Sequence, residues 1–182
     1  GVFGEKHDWS DNGPLRAGKG TLFEGGLRTP LFAQWKAGLP EGTTFEHPVA
    51  TIDLLPTAFA AAGGEIADDG ELDGVDLLPY LRGENQTAPH ETLYWRMNEM
   101  WAIRKGDWKV YKDRGPRPPQ LFNLDDDPSE QVDLAETHPE QLATLTSDFD
   151  AWAATVEHPR FGWWQGVGER YEPPQASGPN IV

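Results

Sequence analysis

Residues Pro14 to Gly42 read PLRAGKGTLFEGGLRTPLFAQWKAGLPEG, and two kinds of chain meet inside them. The first half interleaves Arg16, Lys19 and Arg28 with Gly18, Gly20, Gly25 and Gly26, just after Gly13. Glycines let a backbone approach a ligand closely, and this half reads as an extended loop that continues back to residue 1. A lysine held there is a compact point charge with three donors, which suits an oxyanion such as sulfate or phosphate. The pattern is neither a GxxxxGK-Ser/Thr phosphate loop nor a GxGxxG fingerprint, and by composition it equally fits a surface loop with solvated cations. The second half opens with Thr29 to Trp35 (TPLFAQW), an apolar run bounded by Pro30 and then by Gly38 and Pro40, which predicts a short buried strand.

The cationic stretch stands out because the rest of the chain is acidic. Its 182 residues carry 15 Lys and Arg against 30 Asp and Glu, a net charge of −15, with 37% hydrophobic residues and no Cys. That size holds one domain or a small pair. The summed field repels polyanions, so neither nucleic acid nor an anionic membrane is an expected partner. Without Cys there is no disulfide framework, no zinc-thiolate site and no cysteine-derived nucleophile. No apolar run approaches the roughly 20 residues that span a bilayer, so membrane insertion is not expected. The start, Gly1-Val2-Phe3-Gly4, has neither an initiator Met nor the regions of a signal peptide, and predicts a chain that begins within something larger.

Outward from the opening stretch, Asp53 to Gly64 (DLLPTAFAAAGG) predicts a helix of about ten residues. Leu54, Leu55, Ala58, Phe59 and Ala62 share one face, Asp53 serves as N-cap, Pro56 falls in the first turn and Gly63-Gly64 end it. Val75 to Leu81 is a short apolar element, and composition changes after the polar stretch Glu84 to His90. Beyond it Thr92 to Met97, Trp101 to Arg104, Trp108 to Tyr111 and Gln120 to Leu124 alternate and are rich in aromatics, which predicts a small antiparallel sheet with a tight turn at Lys105-Gly106-Asp107. Thr137 and Glu140 have the spacing of a capping box, and Leu142, Leu145, Phe149, Trp152 and Val156 form the stripe of one long helix. The last residues, 161–182, rich in Trp, Gly and Pro, read as an irregular tail.

Taken together, these segments resemble the sulfatase family. Pro14 to Gly42 is similar to the family pattern PLRGGKGTxxEGGxRxPxxxxWPGxxP, and Asp53 to Gly63 to its DLLPTLLxLAG. Leu72 to Gly83 resembles its LDGxDLLPLLxG, Ala102 to Val110 (AIRKGDWKV) its AxRxGxWKL, and Leu121 to Leu134 (LFNLDDDPSEQVDL) its LYDLxxDPxExxNL. The likeness runs collinearly over residues 10 to 156. It implies an α/β, alkaline-phosphatase-like fold of which this chain is the C-terminal part. Residues 1–88 would then be the end of the catalytic domain, and residues 89–160 a small subdomain of antiparallel sheet packed with one long helix.

The resemblance also implies chemistry. It makes Lys19 the lysine that contacts a sulfate ester, in an arylsulfatase-like hydrolase acting on a sulfated small molecule or a sulfated glycan. The family nucleophile is a formylglycine made within C/S-x-P-x-R. This chain has no Cys and no Ser followed by x-Pro-x-Arg, so that group is expected upstream and the chain alone is expected to be inactive. The family's calcium is held by Asp and Asn of a DNG-like motif, which Asp11-Asn12-Gly13 resembles. Asp11 stands only eight residues before Lys19, closer than the family places its metal pair, and Asp and Asn before Gly also form ordinary turns. The turn is the favoured reading of Asp11 and Asn12, with the true metal ligands upstream. His7 is a weaker candidate for the site, because some family branches place a histidine between metal motif and lysine. Arg16 and Arg28 are expected to brace the loop or pair with Glu24, and Asp127 to Glu130 to form a turn at a helix start. His47, His90, His138 and His158 are read as structural, as are Trp163-Trp164. Family members are often exported, which would imply a periplasmic or secreted protein. Two alternatives stand beside a sulfatase: a phosphomonoester or phosphonate hydrolase of the same superfamily, and a non-catalytic, truncated sulfatase-like module.

Overall fold

The alternating aromatic segments after residue 91 form the sheet that their period of two predicts. In the computed structural model, which describes residues 11–65 and 72–157, strands β1 (Thr92–Met97), β2 (Met100–Lys105), β3 (Trp108–Lys112) and β4 (Gln120–Asn123) pair antiparallel in the order β1-β2-β3-β4. Register places Tyr94 opposite Ile103, Ile103 opposite Val110, and Val110 opposite Leu121. Gly106, at φ 59°, supplies the left-handed residue that the turn between β2 and β3 requires, and Asn98, at φ 57°, does so between β1 and β2.

Alternation then sorts the side chains onto two buried faces. Ile103, Val110 and Leu121 meet Leu145 and Phe149 of the helix Pro139–Ala153. Trp101 stacks on Phe149 with centroids 4.2 Å apart, and Tyr94 on Trp152 at 4.8 Å. Met100, Ala102, Tyr111 and Phe122 face the other way and are covered by Leu22 and Phe23 of the glycine-rich segment, with Phe23 centred 4.0 Å from Tyr111. The sheet is therefore sandwiched between a helix and a loop.

The long helix forms, but without the predicted capping box. Its N-cap is His138, and no side chain caps it. Thr137 Oγ1 instead donates to the Leu134 carbonyl at 3.1 Å, and Pro139 occupies the first turn, where its lack of an N–H costs nothing.

Contacts divide the chain into residues 30–91 on one side and residues 11–29 with 92–157 on the other. Within residues 30–91, a short 3-10 turn at Thr51–Asp53 leads into the helix Leu54–Ala61, and a second short helix spans Leu78–Leu81. Asp53 stands at the N-cap position of its helix as expected, but its side chain makes no capping hydrogen bond there. Its fully buried carboxylate accepts from the Ala50 N–H at 2.7 Å and the Val75 N–H at 3.0 Å, and His90 Nε2 lies 2.8 Å away. The predicted apolar face is present but uncovered: Leu54, Leu55 and Phe59 are exposed. The strand expected at residues 29–35 does not form, and Phe32 is 89% exposed. An apolar run becomes a strand only where a neighbour accepts its backbone hydrogen bonds, and no described segment pairs with this one. The readings for His7, His158, Trp163, Trp164 and residues 161–182 lie outside the described residues.

Candidate functional site

The glycine-rich segment is a closed loop. At its entry, Asp11 Oδ1 accepts from the Gly13 N–H at 2.9 Å, and Asn12 Nδ2 donates to the Ala17 carbonyl at 2.9 Å. At its tip, Thr21 donates from both its N–H, at 3.2 Å, and its hydroxyl, at 2.8 Å, to the Gly18 carbonyl. Lys19 sits between those two residues, exposed and without an ion pair among the described residues. At its exit, the Gly25 N–H donates to the Arg16 carbonyl at 2.9 Å, which ties the end of the loop to its beginning.

Two glycines make this closure possible by having no side chain. A Cβ on Gly25 would lie 2.3 Å from the Ala17 carbonyl oxygen, and one on Gly26 would lie 2.3 Å from that of Thr21. The loop therefore wraps around the short helix Glu24–Leu27 at van der Waals distance.

Beneath the loop lies a cluster of buried charge. Lys109, on the loop-facing side of β3, is fully buried and places Nζ 2.8 Å from Glu24 Oε1 and 2.8 Å from Glu130 Oε1. The contact with Glu130 Oε1 is an ion pair that lacks hydrogen-bond alignment. Glu130 Oε2 accepts from the Glu24 backbone N–H at 2.6 Å, and Arg104 approaches Glu24 at 3.9 Å. Arg16 donates to the Glu130 carbonyl at 2.7 Å while its guanidinium lies 4.0 Å over the Phe23 ring. Burial pushes the Glu130 carboxyl above the usual carboxylate range, with Lys109 pulling it the other way. Burial, reinforced by Asp113, raises the Tyr111 hydroxyl to about 12.

Arg16 braces the loop as expected, but the ion-pair partners of Glu24 are Lys109 and Arg104, not Arg16 or Arg28. The segment at Glu130 is a turn, with Asp127 Oδ2 accepting from the N–H groups of Gln131 and Val132, yet no helix follows it. The sequence reading gives Lys109 no role and Glu130 only a place in a turn, and does not bring the two together. The available signals were a lysine at an inward strand position in WKVYK and the places of Lys109 and Glu130 at the K of AxRxGxWKL and the E of LYDLxxDPxExxNL, which mean something once both faces of the sheet are known to be covered.

For calcium, the described residues do not make a site by themselves. Asp11 and Asn12 spend their side chains on the loop's own backbone, and no group of three His, Asp or Glu suited to a metal occurs among the described residues. Nor is any helix among them long and apolar enough to cross a membrane.

No protein-family model matches the chain. Curated relatives do. Arylsulfatase A of Bos taurus is 34% identical over 176 residues, covering 77% of this chain and 34% of the relative, and steryl-sulfatase of Rattus norvegicus is 30% identical over 193 residues, covering 86% and 33%. The chain thus spans about a third of the length of these relatives. Among solved structures, Ps i-CgsB superposes with a TM-score of 0.67 at 34% identity over 77% of this chain and 32% of its own, and has also been solved in complex with k-i-k-neocarrahexaose. The PsFucS1 sulfatase from Pseudoalteromonas sp. gives a TM-score of 0.64 at 26% identity over 78% of this chain and 32% of its own.

Proposed function

Because this chain belongs to the sulfatase family as a relative of its C-terminal part, we propose that it is the portion of a sulfuric ester hydrolase that delivers Lys19 to the sulfate group. The observation that carries this reading is the closed loop with Lys19 exposed at its tip, between Gly18 and Thr21, in the segment that matches the family's lysine motif. An ammonium so placed holds the negative sulfate oxygens and opposes the charge that grows as the ester S–O bond breaks. Fixed donors of this kind contribute about 10²- to 10³-fold to a rate.

The remaining machinery, the formylglycine and the calcium ligands, comes in this reading from the rest of a longer protein, and the isolated chain is inactive. Asp11 and Asn12 shape the loop. The substrate is a sulfated small molecule or glycan, and the neighbour solved with a bound neocarrahexaose supports the glycan. In the full-length protein, Lys19→Ala should lower turnover of an aryl sulfate by about 10²-fold or more. Turnover near that of the unsubstituted protein would remove Lys19 from the mechanism.

A further inference from the structure

We propose that Glu24, Lys109, Glu130 and Arg16 form a buried clamp that positions Lys19, so that they are positioning residues for sulfate ester hydrolysis; this rests on the role given to Lys19 above. Glu24, Lys109 and Glu130 are removed from water against a sheet face that also carries the apolar Met100, Ala102, Tyr111 and Phe122. Buried ion pairs are poor sources of stability, since well-packed apolar side chains of similar volume usually do as well. What the cluster provides here is direction. Glu130 holds the chain on both sides of Lys19: its carboxylate takes the Glu24 backbone N–H, five residues after the lysine, and its carbonyl takes the Arg16 side-chain guanidinium, three residues before it.

Glu130 makes both contacts from a left-handed conformation, φ 53°, which turns its carbonyl and its side chain toward the same loop. Lys109, on an inner strand, then bridges the two carboxylates, with Nζ 2.8 Å from an oxygen of each, and Arg104 adds a second cation 3.9 Å from Glu24. The loop's own bond from Gly25 to Arg16 closes the ring. Lys19 belongs to no helix or strand, so its backbone position is set by these attachments to the sheet. Reaction geometry is sensitive to such placement, and a displacement of about 1 Å can cost about 10²-fold in rate.

The test is a double-mutant cycle on the full-length protein with an aryl sulfate as substrate. Lys109→Met should lower kcat/KM by about 10- to 100-fold when Lys19 is present. In the Lys19→Ala background the same change should cost less than about twofold, because a positioning residue has nothing left to position. An equal loss in both backgrounds, or no loss in either, overturns the clamp. Arg16→Ala, at a half-buried site, is the second variant if Lys109→Met fails to fold, and must show the same dependence on Lys19. Should Lys19→Ala itself leave the rate unchanged, the sulfatase role of Lys19 fails and takes the clamp with it. A damaging Lys19→Ala beside a harmless Lys109→Met sinks the clamp alone.

Discussion

At the residue scale, Glu130 is where charge, burial and backbone conformation meet. Its carboxyl is raised above the ordinary value by burial, against the pull of Lys109. A folded-state value above the unfolded one means that the folded chain binds the extra proton first, so this group's contribution to stability falls as pH rises through its folded-state pKa. Compared with Glu130→Gln, the unsubstituted protein should therefore gain unfolding free energy as pH is lowered toward about 4.5, the ordinary carboxylate value, and gain nothing further below it. Denaturant unfolding at a series of pH values reads this out, and a difference that does not change with pH would contradict it. None of this was legible from composition. Lys19 drew notice because glycines and cations surround it, whereas Lys109 and Glu130 look like ordinary surface residues until register and loop bring them together over 21 positions of sequence.

At the element scale, what repeats with a short period was readable and what depends on distant pairing was not. Period two gave the four strands, and spacings of three and four gave the helix Pro139–Ala153, because each pattern is the local repeat of its element, whichever neighbours cover it. Caps and partners went otherwise. Thr137 bonds back to Leu134 instead of capping, and Asp53 serves Ala50, Val75 and His90 instead of its own helix. The run at residues 29–35 has strand composition but no described partner strand. The helix–sheet contact is the part most open to a packing test. Leu145 is fully buried between the long helix and the sheet, and Leu145→Ala should destabilise the chain by about 2–5 kcal/mol in denaturant unfolding. A loss below about 1 kcal/mol would mean that the helix is not seated as described.

Over the whole molecule, burial is uneven. Eight of the nine large apolar side chains exposed among the described residues, including Leu31, Phe32, Trp35, Leu55 and Phe59, lie in residues 30–91, and only Val132 lies elsewhere. The curated relatives are about three times as long as the matched chain, and in our reading the rest of a sulfatase covers these residues. The isolated chain should then bind an apolar dye strongly and the full-length protein weakly. Equal binding by both would leave the exposed residues without that explanation.

The central claim is that the loop around Lys19 serves sulfate ester hydrolysis, and its most direct test is the rate of the full-length protein on an aryl sulfate measured beside the matching aryl phosphate. Hydrolysis of the sulfate at the higher kcat/KM, with none by residues 1–182 alone, is the predicted result; preference for the phosphate, or no hydrolysis of either by the full-length protein, would contradict it.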